Sequence, residues 1–249
     1  NMKKILNFVL FNLFLFSFIN ICYSKEIKSN VITLFDFSNS YFMPDRVKVV
    51  KKNLSKLSSA IASKKNGPDQ PILFQVIPID SRSQQGEIIC EYALVKRGLM
   101  GKGKKLCETF DHGNCSTKRN IFKKYVNKVC SEFVVKTKPA KATDISGAIS
   151  LASQLGNSQT DETKYIVIFS DMFEFRDKRI PVTQADLNNF HILVVCGGLI
   201  NAEKNTADFC MNTQNTWKKE FVKLGAESVT FTIETGNWHQ KTAKEFFAR

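Results

Sequence analysis

The stretch 31-VITLFDFSNSY-41 joins an apolar run to a regular series of oxygen-bearing side chains. Its first five residues are largely apolar and predict a buried strand that leads directly into Asp36. Ser38 and Ser40 follow at alternate positions, so in an extended chain they lie on the same side. Either a turn with a helix cap or a bound metal ion would account for this pattern.

Apolar strands and helices alternate along the rest of the chain. The predicted strands are 31–37, 72–79, a segment near 88–95, 165–171, 191–196 and 228–233. The predicted helices are 44–63, a segment near 117–134, 145–155 ended by Gly156, one from near Thr183, 207–224 ended by Gly225, and 238–248. This alternation predicts an α/β fold, with a doubly wound, mainly parallel sheet flanked by helices.

The segment from about 80 to 141 interrupts the alternation and is interpreted as a cysteine-containing insertion. Within it, the loop 96-KRGLMGKGKK-105 resembles a phosphate-binding loop. That kind of loop requires Ser or Thr directly after the Gly-Lys pair, and neither follows here. The loop is therefore interpreted as a solvated basic segment.

The first 24 residues have the pattern of a secretory signal peptide. Lys3 and Lys4 precede the uncharged run 5–21, and Cys22 and Ser24 supply the small residues of a cleavage site. We expect cleavage after Ser24 and a mature domain over 25–249, exported to the periplasm or the extracellular space. Two alternatives are an uncleaved membrane anchor and a lipidated Cys22.

Cysteine usage agrees with export. Six cysteines remain beyond the leader: Cys90, Cys107, Cys115, Cys130, Cys196 and Cys210. An even number in an exported chain favours disulfides, and six cysteines allow about 15 pairings. We predict that Cys196 pairs with Cys210 and that the other four pair among themselves. A zinc site is disfavoured because there is no C-x-x-C motif and the three histidines are His112, His191 and His239.

The composition excludes a disordered chain, since 43% of the residues are hydrophobic and 24% are charged. The formal net charge of +13 favours anionic partners. A lysine-rich composition without functional meaning is the alternative.

Oxygen-bearing side chains recur where the predicted strands end. Asp36, Ser38 and Ser40 follow the first strand, Thr143 precedes a helix, and Asp171 ends the strand at 165–171. The carboxyl ends of parallel strands meet at one edge of a sheet, where ligands bind near a topological switch point. A donor set made only of oxygen suits Mg²⁺, with Mn²⁺ or Ca²⁺ as alternatives.

These residues resemble the metal-ion-dependent adhesion site of the von Willebrand factor A (vWA) domain, over about residues 30–248. The resemblance implies a Rossmann-like vWA fold in which Ser38 and Ser40 bind the metal directly. It implies that Thr143 joins when a ligand is bound, and that Asp36 and Asp171 act through coordinated water. The spacing of 28 residues from Thr143 to Asp171 is similar to that of the family.

The chain departs from the family in two places. The gap of 103 residues from Ser40 to Thr143 is longer than usual, and the excess falls in the predicted insertion. Met172 follows Asp171 where the family commonly has glycine. Phe173 and Phe175 then form an aromatic loop that suits either partner contact or internal packing.

Single residues also have structural explanations. Asp144 is expected to cap the helix that begins at 145, and Thr143 or Asp171 alone could be a cap or a turn residue. Trp217 and Trp238 lie on predicted helices and are expected to be packing residues.

The expected function is a binding module without enzymatic activity. The resemblance implies a protein partner that supplies a Glu or Asp carboxylate to the metal, in adhesion, surface assembly or a secretion apparatus. The alternatives are a basic module that binds anions or nucleic acid, and a metal-dependent hydrolase. A phosphatase of the haloacid-dehalogenase type would require D-x-D, and Ser38 occupies the second position.

Overall fold

One six-stranded sheet organises the part of the chain that the computed structural model describes. That part comprises residues 29–38, 41, 47–63, 72–94, 112–158, 163–174, 185–197, 206–234 and 242–247, without the side chains of 94, 112–118, 206–207 and 244. The strands are β1 (Ser29–Asp36), β2 (Ile72–Ile79), β3 (Cys90–Leu94), β4 (Thr163–Ser170), β5 (Phe190–Cys196) and β6 (Ser228–Ile233). The helices are α1 (Val47–Ala62), α2 (His112–Tyr125), α3 (Ser131–Lys136), α4 (Ile145–Asn157), α5 (Thr206–Lys223) and α6 (Lys244–Phe246). A 3₁₀ turn covers Ser83–Gln85, and a π-helical stretch, Val126–Cys130, joins α2 to α3.

The strand order is β3-β2-β1-β4-β5-β6. All neighbouring strands are parallel except β2 and β3, which are antiparallel. The predicted fold class, a doubly wound and mainly parallel α/β sheet, is confirmed. Every residue of β2 and all but the first of β1 are buried, as expected for parallel strands covered on both faces.

Helices cover both faces of the sheet and enclose two hydrophobic cores. The first core lies under α1, the α2–α3 stretch and α6, and the second lies under α4 and α5. Phe35 of β1 and Phe169 of β4 stack in the first core, with ring centroids 4.5 Å apart. This pair holds together the two central strands, whose ends carry the predicted site residues.

Two disulfides are present among the described residues. The predicted pair Cys196–Cys210 is confirmed and joins the end of β5 to α5. Cys90–Cys130 joins β3 to the π-helical stretch, so these two cysteines do pair within the predicted insertion. The Cys107 and Cys115 side chains lie outside the described residues.

The predicted signal peptide, residues 1–24, also lies outside the described residues. Among the helices that are described, none has the length and apolar character needed to cross a bilayer.

Two local predictions from the sequence are wrong. Gly156 does not end its helix, because α4 continues to Asn157. A Cβ atom at position 156 would collide with the ring of Phe190, so this glycine lets α4 approach β5 closely. By contrast, Gly225 does follow the end of α5 and has a φ of 95°, as predicted for a helix-ending glycine.

The helix predicted from near Thr183 is the second error. Residues 185–189 are described and are not helical. The Asp186 carboxylate accepts hydrogen bonds from the backbone and the side-chain amide of Asn188, at 3.1 and 2.7 Å. Asn189 has a φ of 66°. These side chains stabilise a turn instead of a helix.

Candidate metal centre

The predicted site lies at the topological switch point of the sheet. The chain passes from β1 to β2 on one side, and returns after β3 to place β4 on the other side of β1. β1 and β4 are parallel neighbours with Phe35 opposite Phe169, so Asp36 and Ser170 end the two strands side by side. Asp171 follows directly. This is the position where open α/β sheets bind ligands.

Both carboxylate oxygens of Asp36 accept hydrogen bonds inside the protein. Oδ1 accepts from the backbone N–H of Ser38 at 2.8 Å, and Oδ2 accepts from the hydroxyl of Ser170 at 2.6 Å. The Ser170 oxygen accepts in turn from the backbone N–H of Met172 at 2.8 Å. Ser170 therefore links the ends of β1 and β4, a role that the sequence analysis missed. Its position directly before Asp171 was the available signal.

Ser38 and Thr143 come to the same edge although they are distant in sequence. The backbone N–H of Ala140 donates to the carbonyl of Phe37 at 2.7 Å, and Ser38 and Ala140 form an isolated parallel bridge. The N–H of Asp144 donates to the carbonyl of Asp80, at the end of β2, at 2.8 Å. The segment that carries Thr143 is thus fixed between the ends of β1 and β2, and Thr143 is buried there.

Four of the five predicted ligands are therefore gathered at one edge: Asp36, Ser38, Thr143 and Asp171. Ser40 lies outside the described residues. Asp36 and Asp171 are fully buried, and Asp171 Oδ1 accepts from the backbone N–H of Phe173 at 2.9 Å. The assignment of these residues as metal ligands stays a prediction.

The electrostatics of Asp36 are unusual for a carboxylate. Burial, together with the neighbouring charge of Asp171, raises its pKa to about 6 from the ordinary value of 3.8. Hydrogen bonds from Ser170 and Ser38 act in the opposite direction without cancelling the shift. Two carboxylates buried this close together require a compensating proton or cation.

The donor set fits a hard divalent cation. It consists of carboxylate and hydroxyl oxygens, which suit Mg²⁺. Among the described residues, no group of three or more His, Cys, Asp or Glu side chains is placed to hold a metal ion. The hydroxyls of Ser38 and Thr143, beside the carboxylates of Asp36 and Asp171, are the groups at this edge that could hold such an ion.

Met172 occupies the position where the family commonly has glycine, and its backbone explains that preference. Its φ is 60°, in the left-handed region, and its side chain is buried in the second core. The Trp217 indole N–H donates to the Met172 carbonyl at 3.0 Å, so Trp217 supports the turn as well as packing. Phe173 is 51% exposed, which contradicts internal packing for this residue, and Phe175 and Trp238 lie outside the described residues.

Asp144 caps α4, as predicted. Its side chain accepts from the backbone N–H of Gly147 at 2.9 Å, and a Cβ atom at Gly147 would collide with the carboxylate. The neighbouring N–H of Ser146 donates to Glu174 Oε1 at 2.8 Å. Glu174 therefore ties the loop after β4 to the start of α4. This long-range contact has no signal in the sequence.

Comparison with known proteins gives structural matches only. No family model matches the chain, and neither does any curated protein. Among solved structures, the von Willebrand factor type A protein from Catenulispora acidiphila is 10% identical to this chain, with a TM-score of 0.47. The matched region comprises 89% of this chain and 42% of the Catenulispora chain. The pilus adhesin SpaC from Lactobacillus rhamnosus GG is 12% identical, with a TM-score of 0.46. The matched region comprises 89% of this chain and 30% of SpaC.

A third structure is proximal thread matrix protein 1 from the mussel byssus, with zinc in its MIDAS motif. It is 12% identical, with a TM-score of 0.46. The matched region comprises 89% of this chain and 48% of the mussel protein. The chain spans less than half the length of each of the three structures. The doubly wound sheet of this chain, with the candidate residues at its switch point, agrees with the resemblance stated from the sequence.

Proposed function

We propose that this chain is an exported vWA-type binding module that holds a protein partner through a Mg²⁺ ion. The observation that carries the proposal is the burial of Asp36 and Asp171 together at the switch point, with Ser38 and Thr143 at the same edge. Adhesion, surface assembly and a secretion apparatus are the settings in which such a module would act.

The residues divide into two groups by their expected contact with the ion. Ser38 and Ser40 would bind it through their hydroxyls, and Thr143 would join when a partner is bound. Asp36 and Asp171 would act through coordinated water. When bound, Mg²⁺ supplies positive charge and an open coordination position to a carboxylate of the partner.

The hydrogen bonds of Asp36 support the proposal that its carboxylate contacts the ion through water. Its two oxygens are engaged by the Ser38 N–H and the Ser170 hydroxyl, which fix the orientation of the carboxylate. A carboxylate that contacts the ion through a coordinated water balances part of its charge without taking up a coordination position itself. The remaining positive charge is then available to a Glu or Asp side chain of the partner.

The placement of His191 separates it from the candidate metal centre. This histidine lies near the amino end of β5, at the opposite edge of the sheet from Asp36, and its Nδ1 is 2.8 Å from the Ser228 hydroxyl. It is therefore remote from the oxygen cluster and is not placed to act as a general base there. Export is supported by the two disulfides, which are typical of oxidising compartments.

A nuclear magnetic resonance titration tests the proposal. The probe is a short glycine–serine peptide with one central glutamate, added to isotopically labelled protein in Mg²⁺ or in EDTA. We expect shifts of the Ser38, Thr143 and Asp171 amide signals only in Mg²⁺. Thr143→Ala should weaken peptide binding by about tenfold, as expected for the loss of one ligand contact worth about 1.4 kcal/mol.

Asp144→Asn is the matched control, because it changes the neighbouring residue and keeps an oxygen acceptor for the Gly147 N–H. It should bind the peptide as the wild type does. Equal shifts in Mg²⁺ and in EDTA, or equal losses in the two variants, would contradict the proposed function.

A further inference from the structure

The helices on the two faces of the sheet differ in charge. The helices over the first core carry many basic side chains among their described residues, and Glu132 is their one acidic residue outside the small helix α6: Lys48, Lys51, Lys52, Lys56, Arg119, Lys123, Lys124, Lys128 and Lys136. On the other face, α4 has no charged residue and α5 has both signs. A lysine-rich composition alone would not produce this separation.

Part of the basic face borders the candidate metal centre directly. The segment 136-KTKPAK-141 follows α3, and its Lys136, Lys138 and Lys141 are exposed. Ala140, inside this segment, is the residue whose backbone N–H bonds to the Phe37 carbonyl beside Ser38. Because Lys141 stands between Ala140 and Thr143, the lysines of this segment lie at the margin of the site.

The start of α1 extends the same margin. Lys48, Lys51 and Lys52 are exposed in its first two turns, and α1 packs against α3. Asn53, on the next turn, donates a side-chain hydrogen bond to Glu234, which follows β6 at the carboxyl edge of the sheet. The first half of α1 is thereby placed at the edge that carries the site. These six lysines, at 48, 51, 52, 136, 138 and 141, are called the basic rim.

Two acidic residues also lie at this edge of the sheet. Asp80 follows β2 beside the segment that bears Thr143, and Glu174 follows β4. The six lysines of the basic rim outnumber these two carboxylates, so positive charge predominates beside the site.

We propose that the basic rim selects an acidic segment of a partner protein, in which the metal-binding carboxylate is accompanied by further Asp or Glu side chains. This inference rests on the proposed function, since it assigns the chemistry of the partner at the same site. Exposed lysines act at a distance of about 8 Å at physiological salt, so they raise the rate of encounter as well as the affinity. A carboxylate without acidic neighbours would gain only the metal contact.

Fluorescence anisotropy with two labelled peptides tests the selection. One is the single-glutamate peptide, and the other has the same length and four additional glutamates. In Mg²⁺ at low salt we expect the acidic peptide to bind at least about tenfold more tightly, with the difference shrinking as salt is raised. Lys138→Gln with Lys141→Gln should remove most of this preference and leave binding of the single-glutamate peptide unchanged. Lys218→Gln with Lys219→Gln, which removes exposed charge from α5 on the other face, should leave the preference intact.

The outcomes separate the two proposals. Mg²⁺-dependent binding of both peptides with equal affinity would overturn the basic rim and leave the proposed function standing. A preference for the acidic peptide that persists in EDTA would overturn the link between rim and metal, as would no binding of the acidic peptide. A short oligothymidylate of matched charge that binds more tightly than the acidic peptide would assign the rim to nucleic acid instead.

Discussion

Replacing Cys90 and Cys130 together with alanine is expected to lower the free energy of unfolding by about 4 kcal/mol. The disulfide joins residues separated by 40 positions, so its loss restores much conformational freedom to the unfolded chain. Both sulfur atoms are buried against the first core, so the double replacement also removes packing contacts. Urea denaturation followed by circular dichroism measures the change.

The Cys196–Cys210 disulfide provides the comparison. Its separation is 14, and the same entropic relation predicts a smaller loss of about 3 kcal/mol for the matching pair of alanine replacements. A loss below about 1 kcal/mol for Cys90→Ala with Cys130→Ala would mean that β3 and the π-helical stretch are held together by packing alone.

Metal-free protein is expected to become more stable as pH is lowered from about 8 to about 4, through the contribution of Asp36. Burial and the charge of Asp171 raise the pKa of Asp36 to about 6 in the folded protein, compared with its ordinary value of 3.8. The folded state therefore binds a proton more readily than the unfolded state does. This stabilisation is complete below the unfolded pKa and is lost as pH rises through about 6. The difference corresponds to about 3 kcal/mol.

Asp36→Asn is the control for this pH dependence. The variant should be more stable than the wild type near pH 8 in the absence of metal, and this difference should disappear near pH 4. Saturating Mg²⁺ should instead stabilise the wild type at neutral pH, because metal binding requires ionised carboxylates. The measurement is urea denaturation at several pH values in EDTA. Parallel pH profiles of the two proteins would contradict the interpretation that the ionised Asp36 carboxylate destabilises the metal-free folded protein.

The sequence predicted most of the sheet because its central strands are continuous apolar runs. β2 and β6 have the predicted bounds, and the polar residues that end β1 and β4 were placed correctly at one edge. The pairing of Cys90 with Cys130 was one of several arrangements that the sequence allowed. A glycine that ends a helix and one that permits close packing look the same in sequence, which explains the error at Gly156.

The supporting contacts of the site could not be predicted in the same way. Ser170 acts by a hydrogen bond to Asp36 across 134 positions of sequence, and Glu174 acts on the start of α4. Such contacts follow from the packing of the whole sheet and leave no local pattern. The position of the basic rim could not be predicted for the same reason, because the segment 136–141 reaches Ser38 only in the folded chain.

Calorimetric titration of residues 25–249 with Mg²⁺ and Mn²⁺ tests the central claim most directly. The wild type is expected to bind one ion, whereas Asp36→Ala and Asp171→Ala should bind none and retain the circular dichroism spectrum of the wild type. That result would assign the buried carboxylates at the switch point to a metal. Wild-type protein that takes up no ion at millimolar concentration, or alanine variants that bind as the wild type does, would contradict it.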